Sequence, residues 1–259
     1  MSLNKKRSTT ARRVSILQQL ESTGQVEVIA LSKEFNVSEV TIRNDLNKLE
    51  EKKVLIRTRG GAFKSDRVGM DSDISDKNKL FFEEKSRIGK AAAELIEEGD
   101  TIILDSGSTT MEITKHLSGF KNLTIITNAL NIALALAEMK NINVIIPGGI
   151  LRKNSLSLVG ATAEETFQNY FCDKLFLAVD GFHLTHGLST PNAEEAYLNR
   201  IMISIAKKVI VVTDSSKFLR RSFAVIAPVA KIDIVVTDSG ISAKDQKELE
   251  SAGVRVVVA

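Results

Sequence analysis

Between residues 101 and 259, six apolar runs each end in a polar or glycine-bearing turn: TIILDSGS, LTIITNA, NVIIPGG, KLFLAVDG, KVIVVTDSS and IDIVVTDS; a seventh, VRVVVA, follows them. Helical patterns separate most of these runs. Continuous Ile and Val without polar alternation means strands covered on both faces, and strand alternating with helix implies a largely parallel sheet. This part of the chain is therefore predicted to be α/β. In such open sheets ligands collect outside the carboxyl ends of the strands. Asp105, Asn128, Gly148, Gly149, Asp180 and Asp214 all fall at such ends.

One of these ends carries more chemistry than the others. The stretch ILDSGSTTMEI, Ile103 to Ile113, reads as a strand running through a polar turn into a helix. Backbone N–H groups at a helix start lack intrahelical partners, so an anion placed there meets donors already aimed at it. Ser106, Gly107, Ser108, Thr109 and Thr110 add hydroxyls and no acid, as a phosphate demands. Asp180 could accept sugar hydroxyls, and Lys217 in DSSKF could supply a compact positive charge. Taken singly, a terminal Asp or Asn also serves as an ordinary helix cap, and a Gly-Gly pair as an ordinary turn.

Charge divides the chain. The formal net charge is +3, but residues 1–68 hold 14 Lys and Arg against 8 Asp and Glu, whereas residues 69–259 hold 21 against 24. A basic front on an acidic body suits a nucleic-acid-binding head. With 259 residues at 43% hydrophobic, a large domain and a small one are both affordable. No apolar run reaches the roughly 18 residues of a membrane span, and the basic N-terminus lacks the apolar stretch of a secretory signal, so a cytoplasmic protein with no membrane partner is expected. The single cysteine, Cys172, excludes an intramolecular disulfide and a cysteine-based zinc site, and is expected to pack as a small hydrophobe.

Residues 10–62 add pattern to the charge. Val14, Leu17 and Leu20, with Ile16 nearby, recur at helical spacing before Gly24; VIALSKEF, Val28 to Phe35, gives a second short helix; Ser38 stands as the N-cap of a third. On that third helix Ile42, Leu46 and Leu49 form an inward stripe, leaving Glu39, Thr41, Arg43, Asn44, Asn47 and Lys48 to face elsewhere. Arg and Asn can fork onto guanine or adenine edges, and hydroxyls can reach phosphates, which is what a recognition helix needs. VLIRTRGGAF follows, an extended segment carrying Arg57 and Arg59 before Gly60-Gly61, and reads as a wing. The competing reading is a three-helix module that binds protein, with its polar face merely solvated.

The run VSEVTIRNDLNKLEEKKVLIRTRGGA resembles the winged helix-turn-helix of the DeoR family of bacterial sugar-catabolism repressors, whose usual form is VSxxTIRRDLxxLexxGxLxRxxGGA. Asn44 stands where many members carry a second Arg, and Lys53 where Gly usually ends the recognition helix. Asn at position 44 is similar to the subgroup controlling N-acetylgalactosamine and galactosamine use. The resemblance extends through DSGSTT, TN, GG, VDG and DSSKF. It implies a sensor domain similar in fold to ribose-5-phosphate isomerase and the CoA transferases, with phosphate at Ser106 to Thr110 and the sugar among Asp105, Asn128, Gly148, Gly149, Asp180 and Lys217, joined by Arg152 and Glu194. DNA contact would fall to Ser38, Glu39, Thr41, Arg43, Asn44, Asn47, Lys48, Arg57 and Arg59.

The expected plan is thus a winged helix-turn-helix over residues 1–63, a polar linker over 64–79, and a sensor domain over 80–259 opening with a helix from about Leu80 to Ile96. The expected partners are double-stranded operator DNA, a phosphorylated sugar, and further copies of the chain as a dimer or tetramer. A sugar-phosphate isomerase with a DNA-binding head is the alternative, since Asp180 could act as a base. His183 and His186 in VDGFHLTHGLS have no third ligand at metal-binding spacing, which favours a packing or surface role. A sequence-independent DNA-packaging protein is a third possibility. Neither cofactor, metal nor catalytic residue is expected.

Overall fold

The computed structural model describes residues 9–51, 54–64 and 71–259, and the chain divides into two units, Met1–Ser72 and Asp73–Ala259. Lys53 lies outside the described residues, as do 65–70 of the expected linker.

In the first unit α1 (Thr9–Thr23), β1 (Gln25–Glu27), α2 (Val28–Phe35), α3 (Glu39–Glu51), β2 (Leu55–Arg57) and β3 (Gly61–Lys64) form a winged helix. The core is Ile16, Leu20, Val26, Val28, Leu31, Ile42, Leu46, Leu49, Leu55 and Ala62. On α1 the buried stripe runs through Ile16 and Leu20, while Val14 is half-buried; the register starts from Arg12, which is buried with them. Arg12 and Arg13 donate through their Nε atoms to Asp45 of α3, at 2.6 and 2.7 Å, and Asp45 is almost wholly buried. Ser38 Oγ accepts from the Thr41 N–H at 3.2 Å, so the expected N-cap of α3 is present. Sequence patterning missed β1, a three-residue strand that pairs antiparallel with β3, while β2 and β3 form the wing hairpin. Gly61 is required there: a Cβ would lie 1.9 Å from the Val26 carbonyl oxygen.

The second unit starts earlier than the sequence suggests. Residues 71–79 were expected in the linker, yet α4 (Ile74–Lys77) belongs to this unit, with Ile74 buried and its N–H donating to the Asn154 carbonyl at 2.6 Å. One apolar residue in a polar run gives no periodic signal, which is why the segment reads as linker. Next come α5 (Phe82–Ala93), β4 (Thr101–Leu104), α6 (Ser108–Ile113), β5 (Leu123–Ile126), α7 (Leu130–Leu136) and β6 (Ile142–Ile145). A hairpin of β7 (Ile150–Arg152) and β8 (Ser157–Val159) precedes α8 (Ala161–Gln168) and β9 (Cys172–Leu177). β10 (Gly181–His183), β11 (Gly187–Thr190), α9 (Ala193–Ile205), β12 (Ala206–Val212) and β13 (Ala224–Ala227) follow, then β14 (Ile234–Thr237), α10 (Ala243–Ser251) and β15 (Arg255–Val258).

Seven strands form one parallel sheet in the order β15-β14-β12-β9-β4-β5-β6. Neighbouring residues in a strand feed opposite cores: Leu175, Leu177, Val209 and Val211 lie on one side, Phe176, Ile210 and Val212 on the other. Burial on both faces explains the unbroken apolar runs. β10, β11 and β13 make a separate antiparallel sheet. The fold is α/β, and the centre of its sheet, β12-β9-β4, decides which loops meet.

Candidate functional site

Two sites follow from this architecture, one in each unit. In the first, α3 exposes Arg43, Asn44, Asn47 and Lys48, and the wing exposes Arg59. Thr41 and Glu39 are half-exposed at the start of the helix, where Glu39 pairs with Arg43 at 2.6 Å. Val40 is 62% exposed beside them, a methyl-bearing side chain that the polar inventory passed over. Ser38 Oγ is committed to capping. Arg57 is turned back onto α3, where it donates to the Arg43 carbonyl at 3.0 Å and to Asn47 Oδ1 at 2.5 Å.

In the second unit the turns after β4, β9 and β12 converge. They form a cleft open to solvent, lined by Ile74, Lys77, Gly107, Ser108, Thr109, Ala178, Val179, Asp180, Thr213, Asp214 and Lys217. Gly107 lets the first turn close on the second: a Cβ there would lie 2.4 Å from the Ala178 Cβ. Lys77 of α4 reaches in and donates to Asp180 Oδ1 at 2.6 Å. Lys85 is buried below it, donating to the Lys77 and Leu80 carbonyls at 2.6 and 2.7 Å, and so clamps the backbone that presents Lys77.

Two lysines, Lys77 and Lys217, face two carboxylates, Asp180 and Asp214, across this cleft. Burial acts to raise the Asp180 carboxyl, but the charges of Lys77, Lys217 and Arg220 outweigh it and leave the group below its ordinary range. Burial pushes the Lys217 ammonium down, opposed by Asp214 and Asp180, and brings Lys85 down to about 8. With α6 only six residues long, its dipole is a small term beside the charges of Lys77 and Lys217.

Several expected ligand residues lie elsewhere. Asp105 is buried beneath the turn, accepting from Asn199 Nδ2 at 2.9 Å and from the Ala178 N–H at 3.3 Å. Its carboxyl is raised to about 7, by burial first and then by the charge of Glu195; the Ser106 N–H also turns inward to it, away from the cleft. Thr110 is fully buried, its hydroxyl donating to the Gly107 carbonyl at 3.0 Å. Asn128, Gly148 and Gly149 follow β5 and β6, one and two strands beyond β4, and do not line the cleft. Asn128 is buried with its Oδ1 unpaired, and the two glycines pack closely on Thr162 and Val159. Arg152 pairs with Glu195. Glu194 is exposed on the other side of α9, so the acid on this side is its neighbour Glu195, which also accepts from Ser157 Oγ at 2.8 Å and Thr190 Oγ1 at 3.3 Å. Lys77, hidden in the apparent linker, is the residue that sequence patterning missed. The cleft therefore combines the expected Gly107, Ser108, Thr109, Asp180 and Lys217 with an unforeseen lysine.

Outside the cleft, His183 Nδ1 accepts from the Thr185 and His186 N–H groups, holding the β10–β11 turn, and burial, then His186 and Arg221, lower its pKa. Cys172 is buried, with burial and Asp173 pushing its thiol up to about 12. Among the described residues no group of three His, Cys, Asp or Glu is placed to hold a metal ion, and no helix is long and apolar enough to cross a membrane.

A winged helix with a polar outward helix face, followed by an α/β unit with a strand-end cleft, defines a transcription regulator with a sensor domain. Residues 12–67 match the DeoR-like helix-turn-helix domain, and residues 81–239 the DeoR C terminal sensor domain. The chain is 42% identical to the "Putative aga operon transcriptional repressor" of Escherichia coli O157:H7, covering 96% of this chain and 94% of that protein. It is 35% identical to the HTH-type transcriptional regulator GlpR of Haloferax volcanii, over 95% and 96% of the two chains, and 36% identical to the HTH-type transcriptional repressor GlcR of Bacillus subtilis, over 88% and 87%. This chain belongs to the DeoR family of helix-turn-helix transcription regulators, and it is a regulator rather than an enzyme. Ribose 5-phosphate isomerase A from Methanocaldococcus jannaschii is a distant structural likeness, with a TM-score of 0.40 at 17% identity over 54% of this chain and 55% of that one.

Proposed function

We propose that this protein represses a sugar-catabolic operon, binding double-stranded operator DNA through α3 and the wing and releasing it when a phosphorylated sugar fills the cleft. The observation that carries this reading is the pairing of Lys77 and Lys217 with Ser108, Thr109 and Asp180 at one strand-end cleft. Cations and hydroxyls suit a phosphate, and a carboxylate suits sugar hydroxyls. An amino sugar is favoured by Asn44 and by the aga operon named for the Escherichia coli relative. Repression of DNA would place the protein in the cytoplasm. Helix-turn-helix readers double a short half-site by two-fold symmetry, so the working form is at least a dimer.

Release follows from linkage: an effector lowers operator affinity only by binding the DNA-free state better, and a coupling of about 1–3 kcal/mol changes affinity roughly 5- to 150-fold. Calorimetry with galactosamine 6-phosphate and galactosamine, beside operator titrations, tests the reading. The phosphate ester is expected to bind far tighter and to weaken DNA binding. Ser108→Ala with Thr109→Ala should weaken the phosphate ester much more than galactosamine and leave effector-free operator binding near normal. Equal affinity for both sugars would place the ligand elsewhere, and tighter DNA binding would make the sugar a corepressor.

A further inference from the structure

We infer that Arg57 is a positioning residue for base recognition, and that it sets the orientation in which Asn47 meets the bases. Arg57 is the last residue of β2, and its partners lie on the recognition helix: the Arg43 carbonyl at 3.0 Å and Asn47 Oδ1 at 2.5 Å. Its own N–H donates to Glu50 Oε1 at 2.9 Å, and its Nε is buried without a partner, so the guanidinium faces the helix. A guanidinium only donates. The Asn47 amide must therefore turn its oxygen to Arg57 and its NH2 away.

Reading adenine with an Asn side chain uses both amide atoms, the oxygen accepting from N6 and the nitrogen donating to N7. The charge-assisted bond takes one of the two lone pairs on the oxygen and fixes which way the amide is turned, so the NH2 hydrogens are the part of Asn47 directed away from Arg57. The base pair facing it is then read first through acceptors, O6 and N7 of guanine or O4 of thymine. The same contact ties wing to helix through the Arg43 carbonyl, which fixes the backbone carrying Arg43 itself. Arg57 thus shapes specificity without touching a phosphate.

The test uses the full-length protein and a randomised duplex library, followed by salt titrations on the selected duplex and on a scrambled one. Asn47→Ala identifies the position that Asn47 reads, which is expected to hold guanine or thymine in the wild-type selection. Arg57→Ala should cut discrimination at that position by about 5-fold or more, leaving the slope of affinity against salt unchanged. Arg57→Met, which keeps the aliphatic stem and removes the Nη1 donor that serves both acceptors, should behave like Arg57→Ala and keeps the test open if the alanine variant does not fold. A phosphate contact predicts the reverse: intact base preference, equal loss on both duplexes, and a salt slope smaller by about 1 for either variant. That pattern overturns the inference.

Discussion

At the scale of single residues, the most consequential side chain of the DNA-reading unit is one that faces inward. Asp45 is buried between Arg12 and Arg13, so Asp45→Ala strands a buried guanidinium and should cost about 3–5 kcal/mol, read as a lower denaturation midpoint with DNA binding lost in parallel. Asp105 gives a pH signature. Its folded carboxyl, raised to about 7 from 3.8, is most compatible with the fold when protonated; its contribution is fully present below about pH 4 and is lost as pH rises through 7. Asp105→Asn should flatten this part of the stability profile between those limits, and an unchanged difference between wild type and variant across that window would refute the shift. Residue types were easier to read than phases. The family resemblance implies Arg152 and Glu194 as ligand residues, but Glu194 and Glu195 are adjacent, and only the packing of α9 decides that Glu195 faces inward.

At the scale of elements, α4 separates what sequence periodicity can show from what it cannot. Long apolar strands and the α3 stripe announce themselves, because repeated burial leaves a repeated pattern. A four-residue helix held by Ile74 and a clamped backbone leaves none, and neither do the short antiparallel strands β10, β11 and β13. The same argument explains why only part of the expected set lines one cleft: the strand ends were legible, whereas strand order, which puts β5 and β6 to one side, was not. Lys77 yields a direct comparison. Lys77→Ala should weaken a sugar phosphate by about 10-fold or more, consistent with a charge-assisted contact of roughly 1.5–3 kcal/mol, while Lys79→Ala, whose ammonium lies 3.8 Å from Asp76, should leave calorimetric affinity unchanged.

For the whole molecule, the two units have separate cores, the ten-residue core of the winged helix and the two-sided core of the sheet. Scanning calorimetry should resolve two transitions. Asp45→Ala should move only one, and a sugar phosphate at about 100 times its Kd only the other, by about 2.7 kcal/mol; one transition shifted by both would show the units to unfold together. The strand order has a consequence in time as well. The winged helix closes with β3 at Lys64, but the sheet lacks its outer strand until β15 at Val258, 194 residues later. Synthesis at about 5–20 residues per second separates those events by roughly 10–40 s, and parallel sheets then fold slowly. Each newly made chain therefore passes through a period in which its winged helix is complete and its sensor domain is not. If release is governed by the cleft as proposed, a cell raising production of this protein would gain its grip on DNA before its ability to let go.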